Sequence, residues 1–157
     1  MTPTTGTLYF FCGKPASGKS TLTTKLSMLP NTVALHGDQW LDELYPEGMD
    51  SPSQYVECAE RLQQALGAHV VRLLSMGTSV VLDFPANTKA TRQWMKELYA
   101  TAKASHALYY LKTKEKTRHE RLASRLNGEN PHRKSLSMIQ AFETPSPEEG
   151  FNLITLD

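Results

Sequence analysis

Eight consecutive residues near the start of the chain have the types and the spacing of a phosphate-binding loop. They are Gly13, Lys14, Pro15, Ala16, Ser17, Gly18, Lys19 and Ser20, a complete G-x-x-x-x-G-K-[ST] pattern. Glycine lets the backbone turn so that successive N–H groups can point at phosphate oxygens. Lys19 adds a mobile positive charge for the β and γ phosphates, and the Ser20 hydroxyl is suited to ligate Mg²⁺. The pattern therefore predicts a binding site for ATP with Mg²⁺.

The residues on either side of this loop favour the same interpretation. An apolar run from Leu8 to Cys12 precedes the loop, and a helix-compatible run from Thr21 to Leu26 follows it. The loop would deliver the chain into the N-terminus of a helix, whose partial positive charge attracts anions, and Thr21 would join the nucleotide contacts. The alternative is a glycine-containing turn without a ligand, but such a turn does not need all the fixed positions of the pattern.

Two aspartates follow apolar runs and are candidates for the chemistry. Asp83 ends such a run, at the expected position of a Mg²⁺-binding carboxylate beside Ser20. Asp38 follows the run that ends at His36, and it is a candidate general base for the hydroxyl of an acceptor molecule. The alternatives are that Asp83 forms a turn and that Asp38 caps a short helix over residues 39–44. His36 itself is interpreted as a strand-end residue.

A group of basic residues in the last third of the chain could close over the bound triphosphate. Three of them share one face of a predicted helix and two follow in the next loop: Arg118, Arg121, Arg125, Arg133 and Lys134. Arginines placed on the transferred phosphoryl group stabilise its transition-state charge. Arg121 and Arg125 are therefore candidate catalytic residues, and Arg133 is a candidate phosphate ligand. The alternative is a solvated face on which Glu115 and Glu129 balance the arginines.

Length and composition indicate one globular domain over residues 1–157. Hydrophobic residues make up 39% and charged residues 21% of the chain. No run approaches the ~20 apolar residues of a membrane span, and the formal net charge of +1 gives no overall attraction to nucleic acid or membranes. The first residues lack the basic and apolar regions of a secretory signal, so we expect a cytoplasmic protein. Cys12 and Cys58 have no metal-binding spacing and are expected to be buried free thiols.

Strand-like and helix-like segments alternate along the chain, which is typical of α/β proteins with a parallel sheet. The strand-like runs are residues 8–12, 32–36, 79–83, 107–111 and 153–156. The longest helix is predicted to begin after Ser51, which can form a capping box with Gln54, and to continue to Gly77. Further helices are predicted from about Thr88 to Ala104 and from about Lys114 to Leu126.

These motifs together resemble the small P-loop kinases related to zeta toxins, chloramphenicol phosphotransferase and the kinase domain of polynucleotide kinase, an AAA-type group of P-loop ATPase-like domains. The matching positions extend over nearly the whole chain: the phosphate-binding loop, Asp38, residues 80–83 with Asn87 and Arg92, Arg121 and Arg125, and residues 142–145 and 149–152. The resemblance implies an adenylate-kinase-like, five-stranded parallel sheet flanked by helices, with a small lid. It also implies that Asp38 is the catalytic base and that the lid arginines bind ATP phosphates.

The chain departs from these families beside two of the motifs. Polynucleotide kinases carry an arginine shortly after the catalytic aspartate, where it holds the substrate phosphate, whereas Gln39, Trp40 and Leu41 follow Asp38 here. Adenylate kinases have Asp-Gly-Phe-Pro-Arg after the third strand, and the run from Asp83 to Ala86 lacks both the glycine and the arginine. The resemblance therefore does not identify the acceptor.

The segment from residue 38 to residue 60 is expected to line the acceptor pocket, together with Trp40, Tyr45 and Tyr55. It contains no lysine or arginine, and its acidic residues are Asp38, Asp42, Glu43, Glu47, Asp50, Glu57 and Glu60. A phosphorylated acceptor or a nucleic acid would normally require cationic partners, so a neutral or amine-bearing alcohol fits better. The alternatives are that part of this acidity is solvated surface and that Arg92 reaches in to bind an anionic acceptor.

The sequence therefore favours an ATP-dependent kinase that transfers the γ-phosphate to a hydroxyl of a small, neutral or cationic molecule. Two rival hypotheses are also enzymes: a 5′-hydroxyl nucleic-acid kinase and a zeta-toxin-like sugar-nucleotide kinase. A third rival belongs to another class, an ATP-binding regulatory switch. A GTPase switch is not favoured, because the run from Asn87 to Ala90 does not supply the guanine-reading Asn-Lys-x-Asp motif.

Overall fold

A single parallel sheet organises the structure, a computed structural model that describes residues 4–14, 18–112, 114, 116, 117, 119, 120, 123 and 142–156. The strands are β1 (Thr7–Cys12), β2 (Thr32–His36), β3 (Ser79–Pro85), β4 (Ser105–Leu111) and β5 (Leu153–Leu156). Their order across the sheet is β2-β3-β1-β4-β5, and every neighbouring pair is parallel. The predicted five-stranded parallel sheet is therefore confirmed, with β1 at its centre.

The helices connect these strands as predicted, and local capping fixes where two of them begin. The helices whose bounds lie within the described residues are α1 (Lys19–Ser27), α2 (Gly37–Leu44), α3 (Pro52–Ser75) and α4 (Lys89–Ala102), with a 3₁₀ turn at Pro147–Glu149. Ser51 Oγ accepts a hydrogen bond from the Gln54 N–H at the start of α3, and Thr88 Oγ1 accepts one from the Thr91 N–H at the start of α4. Of the helix predicted from Lys114 to Leu126, the described residues 116, 117, 119, 120 and 123 are helical, and the other positions after residue 114 lie outside the described residues.

The core lies on both faces of the sheet because successive strand side chains point to opposite sides. Phe10 packs on one face among residues of α3 and α4, such as Val70 and Met95. Phe11 packs on the other face, against Leu22 and other residues of the α1 side. A central strand buried on both faces holds its carboxyl end rigidly, and the phosphate-binding loop begins at that end.

Both cysteines are buried and form no disulfide, as the sequence predicted. Burial raises the pKa of the Cys12 thiol to about 11, against the opposing charges of Arg92 and Lys19. A thiol with such a pKa carries almost no thiolate at neutral pH, so Cys12 is a packing residue. In the described part of the chain, no helix has the length and apolarity needed to cross a membrane.

Arg92 on α4 is a core residue, which excludes the alternative that it reaches into the acceptor pocket. Its side chain is fully buried. Its Nε donates to Glu149 Oε1 at 2.8 Å, and its Nη1 donates to the Ala86 carbonyl at 2.9 Å. Glu149, in the 3₁₀ turn, thus ties the C-terminal segment to α4. A buried guanidinium needs such a partner because leaving the charge uncompensated is costly.

We expect Glu149→Ala to lower the free energy of unfolding by about 3–5 kcal/mol, because it leaves the Arg92 charge buried without its carboxylate. Chemical denaturation with urea would measure the loss. Glu148→Ala is the matched control, since Glu148 is an exposed residue of the same turn, and we expect it to change stability by less than about 0.5 kcal/mol. Equal free energies of unfolding for Glu149→Ala and the unaltered protein would show that the Arg92–Glu149 pair does not stabilise the fold.

The ion pair between Arg92 and Glu149 also makes the free energy of unfolding depend on pH in the acid range. Burial by itself raises the pKa of Glu149, but the hydrogen bonds from Arg92 and the Ser146 N–H, with the Arg92 charge, outweigh it and lower that pKa below the ordinary 4.5. A carboxylate with a lowered pKa stabilises the folded state above its unfolded pKa. This contribution is lost as the pH falls through the lowered value, and Glu149→Ala should not show that loss.

Candidate active site

The phosphate-binding loop leaves the centre of the sheet at Gly13, directly after β1. The Lys19 ammonium donates from Nζ to the Gly13 carbonyl oxygen at 3.1 Å, across the loop. Gly18 has φ of 101°, in the left-handed region that favours glycine, and it immediately precedes α1. Pro15, Ala16 and Ser17 lie outside the described residues. The ends of the loop therefore have the backbone geometry and the lysine placement that a phosphate site requires.

The first turn of α1 supplies the other half of this site. Lys19 and Ser20 are the first two residues of α1, and the Ser20 and Thr21 side chains are exposed. N–H groups in the first turn of a helix have no intrahelical partners, and the helix dipole is positive there. The buried Thr23 donates its hydroxyl to the Lys19 carbonyl at 2.8 Å, which anchors this turn. These features together favour an anion at the start of α1.

Asn87 is a site residue to which sequence reasoning gave no role. It follows β3, is buried, and accepts a hydrogen bond at Oδ1 from the Gly13 N–H at 3.0 Å. Its backbone carbonyl accepts from the Glu143 N–H at 2.7 Å. Asn87 therefore joins three segments: the phosphate-binding loop, the chain after β3 and the C-terminal segment. The resemblance to P-loop kinases includes Asn87 among the matching positions, but nothing in the sequence indicates its contact with Gly13.

The C-terminal segment returns to the phosphate-binding loop through Phe142. The Phe142 ring stacks on Tyr110 of β4 with ring centroids 6.3 Å apart, and Lys14 Nζ lies 5.7 Å from the Phe142 ring centroid. The Glu143 carboxylate accepts from the Lys89 N–H at 2.5 Å. The basic residues predicted to close over the triphosphate, Arg118, Arg121, Arg125, Arg133 and Lys134, lie outside the described residues. Their roles therefore stay predictions.

Asp83 pairs with His36 across neighbouring strands. The sheet register places His36 of β2 opposite Asp83 of β3, and His36 Nδ1 lies 2.9 Å from Asp83 Oδ2. The strand β3 continues to Pro85, two residues beyond its predicted end at Asp83. The side chain of Asp83 remains 30% exposed, so the carboxylate is accessible at the edge of the sheet. His36 is a strand-end residue, as interpreted, and it also orients this carboxylate.

The oxygen groups of Ser20 and Asp83 fit the Mg²⁺ that the sequence implies. A hydroxyl at the start of α1 and a carboxylate on β3 are both hard oxygen ligands, and Mg²⁺ usually takes only one or two protein ligands beside phosphates and water. A site built by protein side chains alone is not seen, since the described residues contain no cluster of three or more His, Cys, Asp or Glu side chains suited to a metal.

Asp38 lies in the first turn of α2, where its negative charge is favourable. The helix begins at Gly37 and its N-cap is His36, so the alternative interpretation of Asp38 as the cap is wrong. Gly37 is required for packing, because a Cβ there would lie 2.8 Å from the Phe84 ring. The close contact between Gly37 and Phe84 thus fixes where Asp38 leaves the sheet.

A cavity of about 520 Å³ lies between α2, α3, α4 and the end of β3. Asp38 and Glu60 are its charged residues, and none of the described residues that line it is a lysine or an arginine. Asn87 also lines it, so the cavity adjoins the phosphate-binding loop through the Gly13 hydrogen bond. The volume is that of a small-molecule site.

The walls of this cavity combine rings with neutral polar groups. Tyr55, Phe84 and Trp94 contribute the rings, and Gln63 and Gln64 contribute amides. The expectation that Tyr55 belongs to the pocket is met.

Trp40 and Tyr45 do not line the cavity, against expectation. Trp40 lies with His36, Gln39 and Glu43 around a separate hollow of about 240 Å³. All the acidic residues between residues 38 and 60 are exposed, and of these only Asp38 and Glu60 line the cavity, so most of the acidity of this segment is solvated surface.

Several solved structures share this fold at low sequence identity. APE1195 has a TM-score of 0.73 and 20% identity, with 100% of this chain and 88% of that chain covered. The Mycobacterium tuberculosis APS kinase CysC, in complex with AMPPNP and APS, has a TM-score of 0.65 and 18% identity, with 99% and 91% covered. Chaetomium thermophilum Kti12, in complex with ADP-AlF3, has a TM-score of 0.63 and 20% identity, with 95% and 88% covered.

These likenesses confirm a P-loop NTPase fold that is shared with kinases. No curated protein sequence gives a significant match. The sequence profile described as an AAA domain matches residues 8–145, which include the phosphate-binding loop, Asp38 and Asp83. Since the match extends over most of the chain, this protein belongs to the AAA domain family, and its fold is that of P-loop kinases.

Proposed function

We propose that this protein is an ATP-dependent phosphotransferase that moves the γ-phosphate of ATP to a hydroxyl of a small, neutral or cationic molecule. The observation that carries the proposal is the cavity beside the phosphate-binding loop, because one buried residue, Asn87, contacts Gly13 and also lines the cavity. A nucleotide site alone would fit any P-loop protein. A second, acceptor-sized cavity that shares a wall with it is what a transferase needs.

The phosphate side of the reaction is assigned to the loop and to α1. The backbone N–H groups and Lys19 bind the phosphates, while Ser20 and Asp83 hold Mg²⁺, directly or through water. When bound, ATP with Mg²⁺ supplies the transferable phosphoryl group and part of its charge compensation. Arg121, Arg125 and Arg133 are proposed to contact the phosphates as well, as the resemblance to P-loop kinases implies.

The acceptor side is assigned to Asp38. It lines the cavity from the first turn of α2. Its carboxylate can accept a hydrogen bond from the attacking hydroxyl, orient it, and take its proton late in the transfer. Because phosphoryl transfer depends mostly on positioning and charge stabilisation, orientation is the larger part of this role.

The charge of the cavity argues against an anionic acceptor. Asp38 and Glu60 both carry negative charge, and the described lining has no cation to balance a phosphate or a nucleic-acid strand. Arg92, the nearest candidate in the sequence, is fully buried and bonded to Glu149. Polar hydroxyls and amines, by contrast, match the glutamines and carboxylates of the walls.

A screen of ATP consumption against pooled acceptors tests the proposal. The pools are sugars and nucleosides, amino alcohols and aminoglycosides, nucleoside monophosphates, sugar nucleotides, and 5′-hydroxyl oligonucleotides. We expect the highest kcat/KM in one of the first two pools. A best substrate among the last three would overturn the acceptor class. If no pool raises turnover above the acceptor-free rate, the regulatory switch becomes the better hypothesis.

We expect Glu60→Gln to raise the KM of an amine-bearing acceptor about five- to tenfold with little change in kcat, because it removes a carboxylate that can bind an ammonium group. Steady-state kinetics on the best amine from the screen would measure this. Glu57→Gln is the control, since Glu57 is an exposed residue one turn earlier on α3 that pairs with Arg61 and does not line the cavity. If both variants behave alike, Glu60 does not bind the acceptor.

A further inference from the structure

The orientation of the Asn87 amide is fixed by the phosphate-binding loop. The Gly13 N–H is a donor, so the atom 3.0 Å from it must be the Asn87 oxygen, Oδ1. The two ends of an asparagine amide look alike in most structures, but here the hydrogen bond decides between them. The nitrogen Nδ2, with its two N–H donors, therefore faces away from Gly13.

These two donors have no acceptor in the described part of the chain. Asn87 is only 7% exposed, its Oδ1 is used by Gly13, and its backbone carbonyl is used by Glu143. Buried donors without a partner are rare because each loses its hydrogen bonds to water. Since Asn87 lines the acceptor cavity, a bound molecule can supply the missing acceptor.

We infer that the Asn87 amide is a binding residue that donates a hydrogen bond to an oxygen atom on the line of phosphoryl transfer. That oxygen belongs either to the attacking hydroxyl or to the γ-phosphate, since both accept hydrogen bonds and Asn87 links the loop that would hold the phosphates to the cavity that would hold the acceptor. The inference rests on the proposed function. An amide is the side chain that meets both demands at once, because it accepts from Gly13 at one end and donates to the ligand at the other.

Asn87→Asp tests this role with little change in shape. The carboxylate keeps an oxygen for the Gly13 N–H and loses the Nδ2 donors. We expect the affinity for MgADP to stay within about threefold of the unaltered protein. If the γ-phosphate is the ligand, MgAMPPNP binding weakens about tenfold or more, and if the attacking oxygen is the ligand, only turnover falls by that factor. Unchanged MgAMPPNP affinity together with unchanged turnover would overturn the inference.

Two controls accompany this variant, one for a charge added elsewhere on α4 and one for the Nδ2 donors themselves. Gln93→Glu adds the same charge at an exposed position of α4 and should leave both nucleotide affinities and turnover unchanged. The second control needs no variant: the Nδ2 resonances of Asn87 are followed by ¹H–¹⁵N NMR in the unaltered protein. We expect them to shift, and to exchange more slowly with water, on addition of MgAMPPNP or of MgADP with aluminium fluoride, each together with the best acceptor from the screen.

If neither complex moves the Asn87 signals, the inference is wrong, even if Asn87→Asp fails to fold. If the unaltered protein binds neither nucleotide, the proposed function is wrong instead. The two failures are therefore distinguishable.

Discussion

Lys19→Ala is expected to reduce phosphoryl transfer on the order of 10³-fold and to leave the fold intact. The lysine supplies a full positive charge where negative charge on the β and γ phosphates must be bound and stabilised, and such groups are among the largest contributors to phosphoryl transfer. Its ammonium now bonds the Gly13 carbonyl at 3.1 Å, inside the loop. Since Lys19 is not part of either core cluster, its loss should not disturb packing.

Calorimetric titration with MgATP and a thermal unfolding curve would measure binding and folding separately. Lys25→Ala is the matched control, because Lys25 is an exposed lysine in the last turn of the same helix. The control should bind and turn over like the unaltered protein. Unchanged MgATP affinity in Lys19→Ala would refute the assignment of the loop.

The elements whose signals are local could be predicted from the sequence. The strands β2 and β5 match their predicted runs, and β1 and β4 begin only one and two residues earlier than predicted. Ser51 and Thr88 lie next to the helices that they cap, so the starts of α3 and α4 were visible in a few neighbouring residues. The phosphate-binding loop is likewise a continuous pattern, which needs no tertiary contact to be recognised.

The contacts that could not be predicted join residues far apart in the sequence. The sheet register pairs His36 with Asp83, and the tertiary fold pairs Arg92 with Glu149. No spacing rule relates such residues, because their distance depends on which strands are neighbours and on how the chain returns to the sheet. The role of Asn87 was hidden for the same reason, since its partner Gly13 belongs to another strand connection.

The periodicity of α2 explains why part of the acceptor pocket was assigned wrongly. Asp38 and Leu41 are three residues apart, so they share the helix face that lines the cavity. Trp40 lies on a different face, with Gln39 and Glu43, around the second hollow. The sequence-based expectation assigned every residue after Asp38 to the pocket. It did not take into account that successive residues of a helix point in different directions. The acidic residues between residues 38 and 60 must therefore be assessed one by one. Of these residues, only Asp38 and Glu60 line the cavity.

Asp38→Asn is expected to keep MgATP affinity and to lose phosphoryl transfer on the order of 10²-fold or more. The amide preserves the size of the side chain and can still orient a hydroxyl, but it cannot take the proton. Kinetics with the best acceptor from the screen, together with calorimetric titration of MgATP, would measure the two effects. A fall in kcat without a change in nucleotide binding is the result that identifies an acceptor-side base.

Asp42→Asn is the matched control, because it removes the same charge one turn later on α2, at an exposed position outside the cavity lining. Each variant removes a negative charge from α2 and so lowers the free energy of unfolding. We expect a loss of about 0.5 kcal/mol or less for Asp42→Asn, beyond the first turn, and a somewhat larger loss for Asp38→Asn, within it. A modest loss of stability in Asp38→Asn is therefore compatible with a catalytic role. The contrary outcome is an Asp38→Asn variant that is less stable than Asp42→Asn and yet transfers phosphate almost as fast. In that case the Asp38 carboxylate stabilises the N-terminus of α2, and another group must take the proton.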